Sequence, residues 1–155
     1  MLQRVQTIWL FSATAAIFSL FLFPYLQIYN LNGSFRALKV TGIEESIGGQ
    51  IVQTEPFLAL TIATVILGLI PFITIFLFKN RSLQIKLCYL SIISILGFSF
   101  WLVQTAKQAL GAITLQSENY GLGVILPSLS VFFMILALRG IKKDEKIIKS
   151  ADRLR

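Results

Sequence analysis

Seven of the chain's fourteen Lys and Arg residues fall in its last seventeen positions, RGIKKDEKIIKSADRLR. If that segment is helical, Arg139, Lys142, Lys146, Lys149 and Arg153 recur at i, i+3, i+7, i+10 and i+14 and form one basic stripe, with Lys143 beside it. Ile141, Ile148 and Ala151, with Ile147 and Leu154, make an adjoining apolar strip. Cations in this pattern bind anions. The segment suits an anionic lipid leaflet, where each basic residue contributes about 1 kcal/mol near the surface. Docking of a protein partner and a plain topology signal are the other two readings. Nucleic acid is not an expected partner, because a basic stripe without interleaved aromatics carries no specific signature. Asp144, Glu145 and Asp152 are the acids set among these cations. Arg4 lies a turn before the first apolar segment, so a bundle whose two ends meet would bring it to Asp144 and Glu145, where an Arg–carboxylate pair can be bidentate.

Covalent and metal chemistry have little to work with. The chain has no His and one Cys, Cys88. That excludes the usual zinc, haem and iron–sulfur ligand sets, an internal disulfide, and every triad built on a histidine base. No catalytic, metal-ligating or cofactor-binding residue is expected, and the chain does not read as an enzyme. Cys88 has no partner to activate it and reads as a small buried or lipid-facing residue.

The elements that position the basic stripe follow from composition. Over 155 residues 55% are apolar and 14% charged, with a mean hydropathy of +0.77. Soluble domains average about 45–50% and 25%. The chain therefore reads as a membrane protein. A helix needs about 20 predominantly apolar residues to span the hydrocarbon, and four segments qualify: about 8–28, 57–78, 87–103 and 120–138. Residues 1–138 are thus expected to form a bundle of four transmembrane helices, and residues 139–155 a basic cytoplasmic helical tail. The first segment resembles a secretory signal at Ala13-Thr14-Ala15. Too few apolar residues precede that site, and the apolar run continues to Phe23, so it reads as an uncleaved anchor.

Orientation follows from the connections. Arg4, the loop cations Lys79, Arg81 and Lys86, and the seven basic residues of the tail put eleven on one side; Arg36, Lys39 and Lys107 put three on the other. By the positive-inside rule both termini are cytoplasmic. The first outer loop, about 29–56, carries turn signals at Asn32-Gly33 and Gly48-Gly49 among scattered apolar residues, which predicts one or two short strands in a small hairpin or sheet over the bundle. GAITLQ in the third loop is a candidate further strand.

Inside the segments the polar groups are small hydroxyls. An ion or proton pathway ordinarily needs an intramembrane ionisable residue. Ser12 with Ala16, Ala59 with Ala63, and Thr64 with Gly68 are small residues four apart, the spacing of close helix packing. Pro24, Pro71 and Pro127 are candidate kinks.

The two ends, MLQRVQTIWL and RGIKKDEKIIKSADRLR, resemble the opening and closing motifs of a domain-of-unknown-function family of small four-span inner-membrane proteins from Bacteroidetes-type bacteria. The matching positions are Gln3, Arg4 and Gln6, then Ile141, Lys143, Asp144, Glu145, Ser150, Asp152, Arg153, Leu154 and Arg155. The resemblance implies a bacterial inner membrane, four spans and no assigned activity. It also implies that the family's recognisable residues face the cytoplasm. The expected function is an integral-membrane interaction or scaffold protein, an accessory subunit whose tail meets anionic lipid head groups or a cytoplasmic or membrane protein. A small oligomeric transporter or channel is the alternative.

Labelling tests the orientation. In a Cys88→Ser background, Cys introduced at Ser34 or Ser117 is expected to react with an impermeant maleimide added to intact spheroplasts. Labelling at Ser82 or Ser150 instead reverses the assignment.

Overall fold

The structure, a computed structural model, describes the backbone of residues 2–29, 35–47, 50–78, 80–110 and 119–153, and the side chains of 5–28, 35–46, 50–78, 80–109, 119–148 and 150. It is mostly helical: α1 (Leu2–Phe18), α2 (Leu58–Phe76), α3 (Arg81–Leu110) and α4 (Ile125–Arg153), with a four-stranded sheet between α1 and α2. α2, α3 and α4 are long and apolar enough to cross a membrane, by length and composition. In α1 the apolar helical stretch is shorter, Val5–Phe21. At 1.5 Å per residue it spans about 25 Å.

That shortness corrects the sequence reading, which carries the first span to residue 28. The helix tightens into a 3-10 turn at Ser19–Phe21 and stops. Pro24 follows in the turn, and Leu26–Tyr29 then forms strand β1, with Leu26 and Ile28 buried at the period of two that a strand demands. Uniform apolarity had hidden this change of period. β2 (Phe35–Lys39), β3 (Gly42–Ile47) and β4 (Gln50–Pro56) complete an antiparallel meander in the order β1-β2-β3-β4. Four strands replace the one or two expected. The turn signals at residues 32–33 and 48–49, and the candidate strand at 111–116, lie outside the described residues.

The sheet is fastened to the helices by its inner face. Leu26, Ile28, Leu38, Val40 and Ile43 join one hydrophobic core with Leu20, Leu60 and Leu102. Phe57 N–H donates to Thr41 O at 3.0 Å, and the Thr61 hydroxyl shares its proton between Val40 O and Phe57 O at 3.1 and 3.0 Å. Gly42, at φ +150°, occupies a backbone conformation open to glycine, and a Cβ there would lie 2.2 Å from Glu55 O. Arg36 pairs with Glu45 at 2.5 Å and Lys39 with Glu44 at 2.9 Å across β2 and β3. Arg36 and Lys39, the cations of the sheet, are thus offset locally.

The helices run up and down between two ends. Gln84 Nε2 donates at 2.9 Å to Thr74 O, which also accepts the Leu77 N–H at 3.3 Å where α2 finishes, and this ties the start of α3 to the end of α2. At the sheet end, Gly121 N–H donates to Tyr25 O at 3.1 Å and Gly123 N–H to Pro24 O at 3.0 Å. Of the three candidate kinks, Pro71 alone sits in the interior of a helix. Pro127 falls in the first turn of α4, where its missing N–H has no helical partner to lose.

Polarity is inverted relative to a water-soluble bundle. Thr64, Thr74, Ser91 and Ser130 are fully buried, whereas Leu58, Ile62, Phe76, Ile93 and Phe100 are well over half exposed. Each inward hydroxyl is satisfied: Thr64 and Ser91, for example, bond the carbonyls four residues back, at 2.7 and 2.9 Å. The Thr64 and Gly68 pair does what its spacing predicts, for a Cβ on Gly68 would sit 2.8 Å from the Phe18 ring. Cys88 is buried in this core.

Two glycines give a paired test. A Cβ on Gly121 would fall 2.2 Å from Pro24 O, whereas one on Gly97, mid-α3, meets nothing within 4 Å. Gly121→Ala is expected to destabilise by about 1–3 kcal/mol, and Gly97→Ala to be neutral or to stabilise by up to about 1 kcal/mol. Thermal melts in detergent measure both.

Candidate functional site

The end of the bundle opposite the sheet carries the residues on which the sequence reading centred. α1 and α4 approach closely there. Ser130 Oγ donates to Ala13 O across the pair at 3.0 Å, and Trp9 stacks on Phe133 with ring centroids 5.9 Å apart. Further along, a Cβ on Gly140 would sit 2.9 Å from Gln6 Cγ, so glycine leaves the room that the Gln6 side chain occupies.

From that slot Gln6 Nε2 donates to Asp144 Oδ2 at 2.7 Å, joining residues 138 apart in sequence. Asp144 is 7% exposed. A carboxylate so buried needs a counter-charge. Arg81 supplies it, with Nη1 3.3 Å from the same Oδ2. The cation is placed by local structure: Asn80 Oδ1 accepts the Leu83 N–H at 3.2 Å, capping α3 so that Arg81 is its first helical residue. Arg81 Nη1 is not aligned for a hydrogen bond and has no such partner among the described residues. The attraction is therefore Coulombic. A recess of about 10 Å³ lies beside Gln6, Thr7, Arg81 and Gln84, at the lower limit for one water. Asp144 thus joins α1, α3 and α4, and Gln84, three residues after Arg81 in α3, joins α2.

α4 continues unbroken through this clamp to Arg153. Ala137, Leu138, Ile141 and Asp144 face inward, while Arg139, Lys142, Lys143 and Lys146 stand exposed and Glu145 is half-buried. Ile147 and Ile148 are exposed beside the lysines, at 52% and 45%. Of the expected apolar strip, then, Ile141 packs into the bundle and the two later isoleucines project from it. Lys142 Nζ donates to the Tyr89 hydroxyl. Nζ lies 4.9 Å from the ring centroid. An ammonium in reach of the phenolic oxygen at that distance sits beyond the hydroxyl, off the ring face, so the contact is a hydrogen bond.

The side chains of Arg4, Lys149, Asp152 and Arg153 lie outside the described residues, and with them the expected contact of Arg4 with the two acids. Among the described residues Asp144 is held by Gln6 and Arg81. Gln6 stood among the motif residues without a role, and Arg81 was counted only as a topology charge. Asn80 before an apolar run was the signal that fixes Arg81 at a helix start.

Breaking the clamp leaves a charge without its counter-charge. Asp144→Ala is expected to destabilise by about 2–4 kcal/mol, below the full figure for a wholly buried pair because Arg81 is partly exposed. Asp144→Asn keeps an acceptor for Gln6 and is expected to lose less. Thermal melts of the two variants beside Gln6→Ala give the ranking.

Comparison with curated proteins and with solved structures finds no match. A family model described as a domain of unknown function, DUF4293, matches residues 2–154. That match takes in both the α1 and α4 halves of the Asp144 clamp, and the chain belongs to this family of unknown function.

Proposed function

We propose that the chain is an integral protein of the bacterial inner membrane, with four helices in the bilayer and both termini cytoplasmic, that serves as an interaction or scaffold subunit through the basic end of α4. The observation that carries this reading is the buried Asp144 between Gln6 and Arg81. It pins α4 one turn past Arg139, so that Arg139, Lys143 and Lys146 are presented outward at a fixed depth, with Ile147 and Ile148 beside them. Cations above and apolar side chains alongside suit the head-group layer of an anionic leaflet. The inverted polarity of the bundle and its apolar outer surface support placement in the bilayer. α1 is the shortest of the four, and its length fits a span that tilts little or locally thins the membrane. The helix ends bearing Gln6, Arg81 and Asp144 then form the cytoplasmic side, in line with the excess of Lys and Arg there.

Lipid retention tests this. Arg139→Gln, Lys143→Gln and Lys146→Gln are combined and Lys142, which bonds Tyr89, is left in place. Purified in uncharged detergent and weighed by native mass spectrometry, the variant is expected to retain far less phosphatidylglycerol than the parent, about fivefold per cation. Neutral lipid retention and the melting temperature should not change. Unchanged phosphatidylglycerol, with a protein that co-purifies with the parent and not the variant, moves the role to protein docking. Unchanged lipid and unchanged partners overturn the proposal.

A further inference from the structure

β4 is the last strand of the sheet, and among the described residues its one ladder is with β3. The opposite edge is covered: Leu26 of β1 bridges to Tyr120, and Tyr25 O beside it accepts the Gly121 N–H. On the free side of β4 no backbone hydrogen bond is made among the described residues. All seven residues of the strand are exposed, and the neighbours Ile51 and Val52, at 69% and 46%, stand on opposite faces. Such an edge is a template for a further strand, and proteins ordinarily blunt it with lysine, proline or a bulge. Residues 50–53, Gln-Ile-Val-Gln, carry none of these. The ladder passes from Ile43–Glu55 to Glu44–Gln53 and leaves Thr54 over, so the bulge, the acid Glu55 and Pro56 all sit at the α2 end of the strand.

The ladder also fixes which backbone groups face the free side. Pairs along antiparallel strands alternate between hydrogen-bonded and non-hydrogen-bonded. Ile47 and Gln50 close β3 on β4 across two residues, the spacing whose closing pair is hydrogen-bonded. Glu45–Val52 is then hydrogen-bonded too, and the N–H and C=O of Ile51 and Gln53 point outward. The Gln53 side chain does not screen them, because its Nε2 donates back to Thr41 O of its own sheet at 2.8 Å.

We infer that β4 is a dimerisation edge whose occupant is β4 of a second copy of this chain, paired antiparallel about Val52. An antiparallel copy that keeps its faces in register is related by a twofold axis perpendicular to the sheet. Centred on Val52, that axis sets Ile51 opposite Gln53 of the copy and Gln53 opposite its Ile51, so the outward backbone groups meet each other. Glu55 stays beyond the paired stretch, and no like charges are opposed. The symmetry also suits a bilayer, and here the inference rests on the membrane placement proposed above. Two copies inserted in the same sense are related by an axis along the membrane normal. The inner face of the sheet shares its core with Leu20 at the end of α1 and Leu60 at the start of α2, so the sheet lies across helix ends and its perpendicular follows that normal.

Disulfide cross-linking of the full chain in isolated membranes, in a Cys88→Ser background with copper phenanthroline as oxidant, tests this. Val52 and its copy form a non-hydrogen-bonded pair with Cα atoms about 4.5 Å apart, within the span of a disulfide. Val52→Cys is therefore expected to give a covalent dimer. Gln50→Cys and Thr54→Cys, each about 13 Å from its own copy in this register, should give at least tenfold less. Adding Ile51→Pro to Val52→Cys removes an outward N–H that the β3 ladder does not use, and should cut the dimer at least tenfold. Ile51→Lys, at a residue already exposed, brings two ammonium groups to about 7–8 Å across the axis and should do the same without touching the backbone. Recovery of the chain in the soluble fraction would overturn the membrane placement and this inference with it. A membrane-borne chain in which Val52→Cys links no better than Gln50→Cys and Thr54→Cys, links to a different protein instead of its copy, or is untouched by both Ile51 changes overturns the pairing alone.

Discussion

A single carboxylate, Asp144, sets the geometry of one whole end of this molecule. It is nearly buried where α1, α3 and α4 converge, so its neighbours are constrained to satisfy it. Gln6 reaches it because Gly140 leaves room; Arg81 reaches it because Asn80 starts α3 one residue earlier. A pair of this kind adds little net stability over an apolar replacement of the same shape, but removing one partner is expensive. Its consequence is specificity. α1, α3 and α4 can meet in one register, and the cationic turns of α4 that follow inherit a fixed direction.

The other end is built on a different principle. There the chain turns from helix to sheet, and backbone hydrogen bonds from Gly121, Gly123, Phe57 and Tyr25 knit the strands to the helices. Between the two ends, small residues and self-satisfied hydroxyls lie between the helices, while many large apolar side chains face outward. The polar work is concentrated at the ends. Charge follows the same division: the sheet neutralises its own cations with Glu44 and Glu45, while α4 leaves Arg139, Lys142, Lys143 and Lys146 exposed.

The sequence makes α2, α3 and α4 legible because twenty or so continuous apolar residues admit few alternatives. Spacing puts Arg139, Lys142 and Lys146 on one stripe of a helix, and in the structure these three side chains are exposed. What was hidden follows physical causes. The end of α1 was masked because Leu26 and Ile28 are as apolar as the span before them, though Pro24 and a shift to period two marked the change. α3 begins at Arg81, earlier than hydropathy suggests, because polar residues prolong a helix that has already been capped. The convergence of the chain's two ends was readable from the up-and-down topology. The choice of Gln6 and Arg81 as the partners of Asp144 was not, since pairing over more than a hundred residues depends on helix rotation, which local pattern does not encode.

Hydrogen–deuterium exchange on the Asp144→Ala protein addresses the clamp most directly. If Asp144 is the constraint that orders this end, backbone exchange should quicken in residues 139–148 of α4 and 5–10 of α1, while 125–137 of α4 and the strands at 35–46 keep the protection of the parent. Uniform quickening along α4, or protection unchanged throughout, would contradict it.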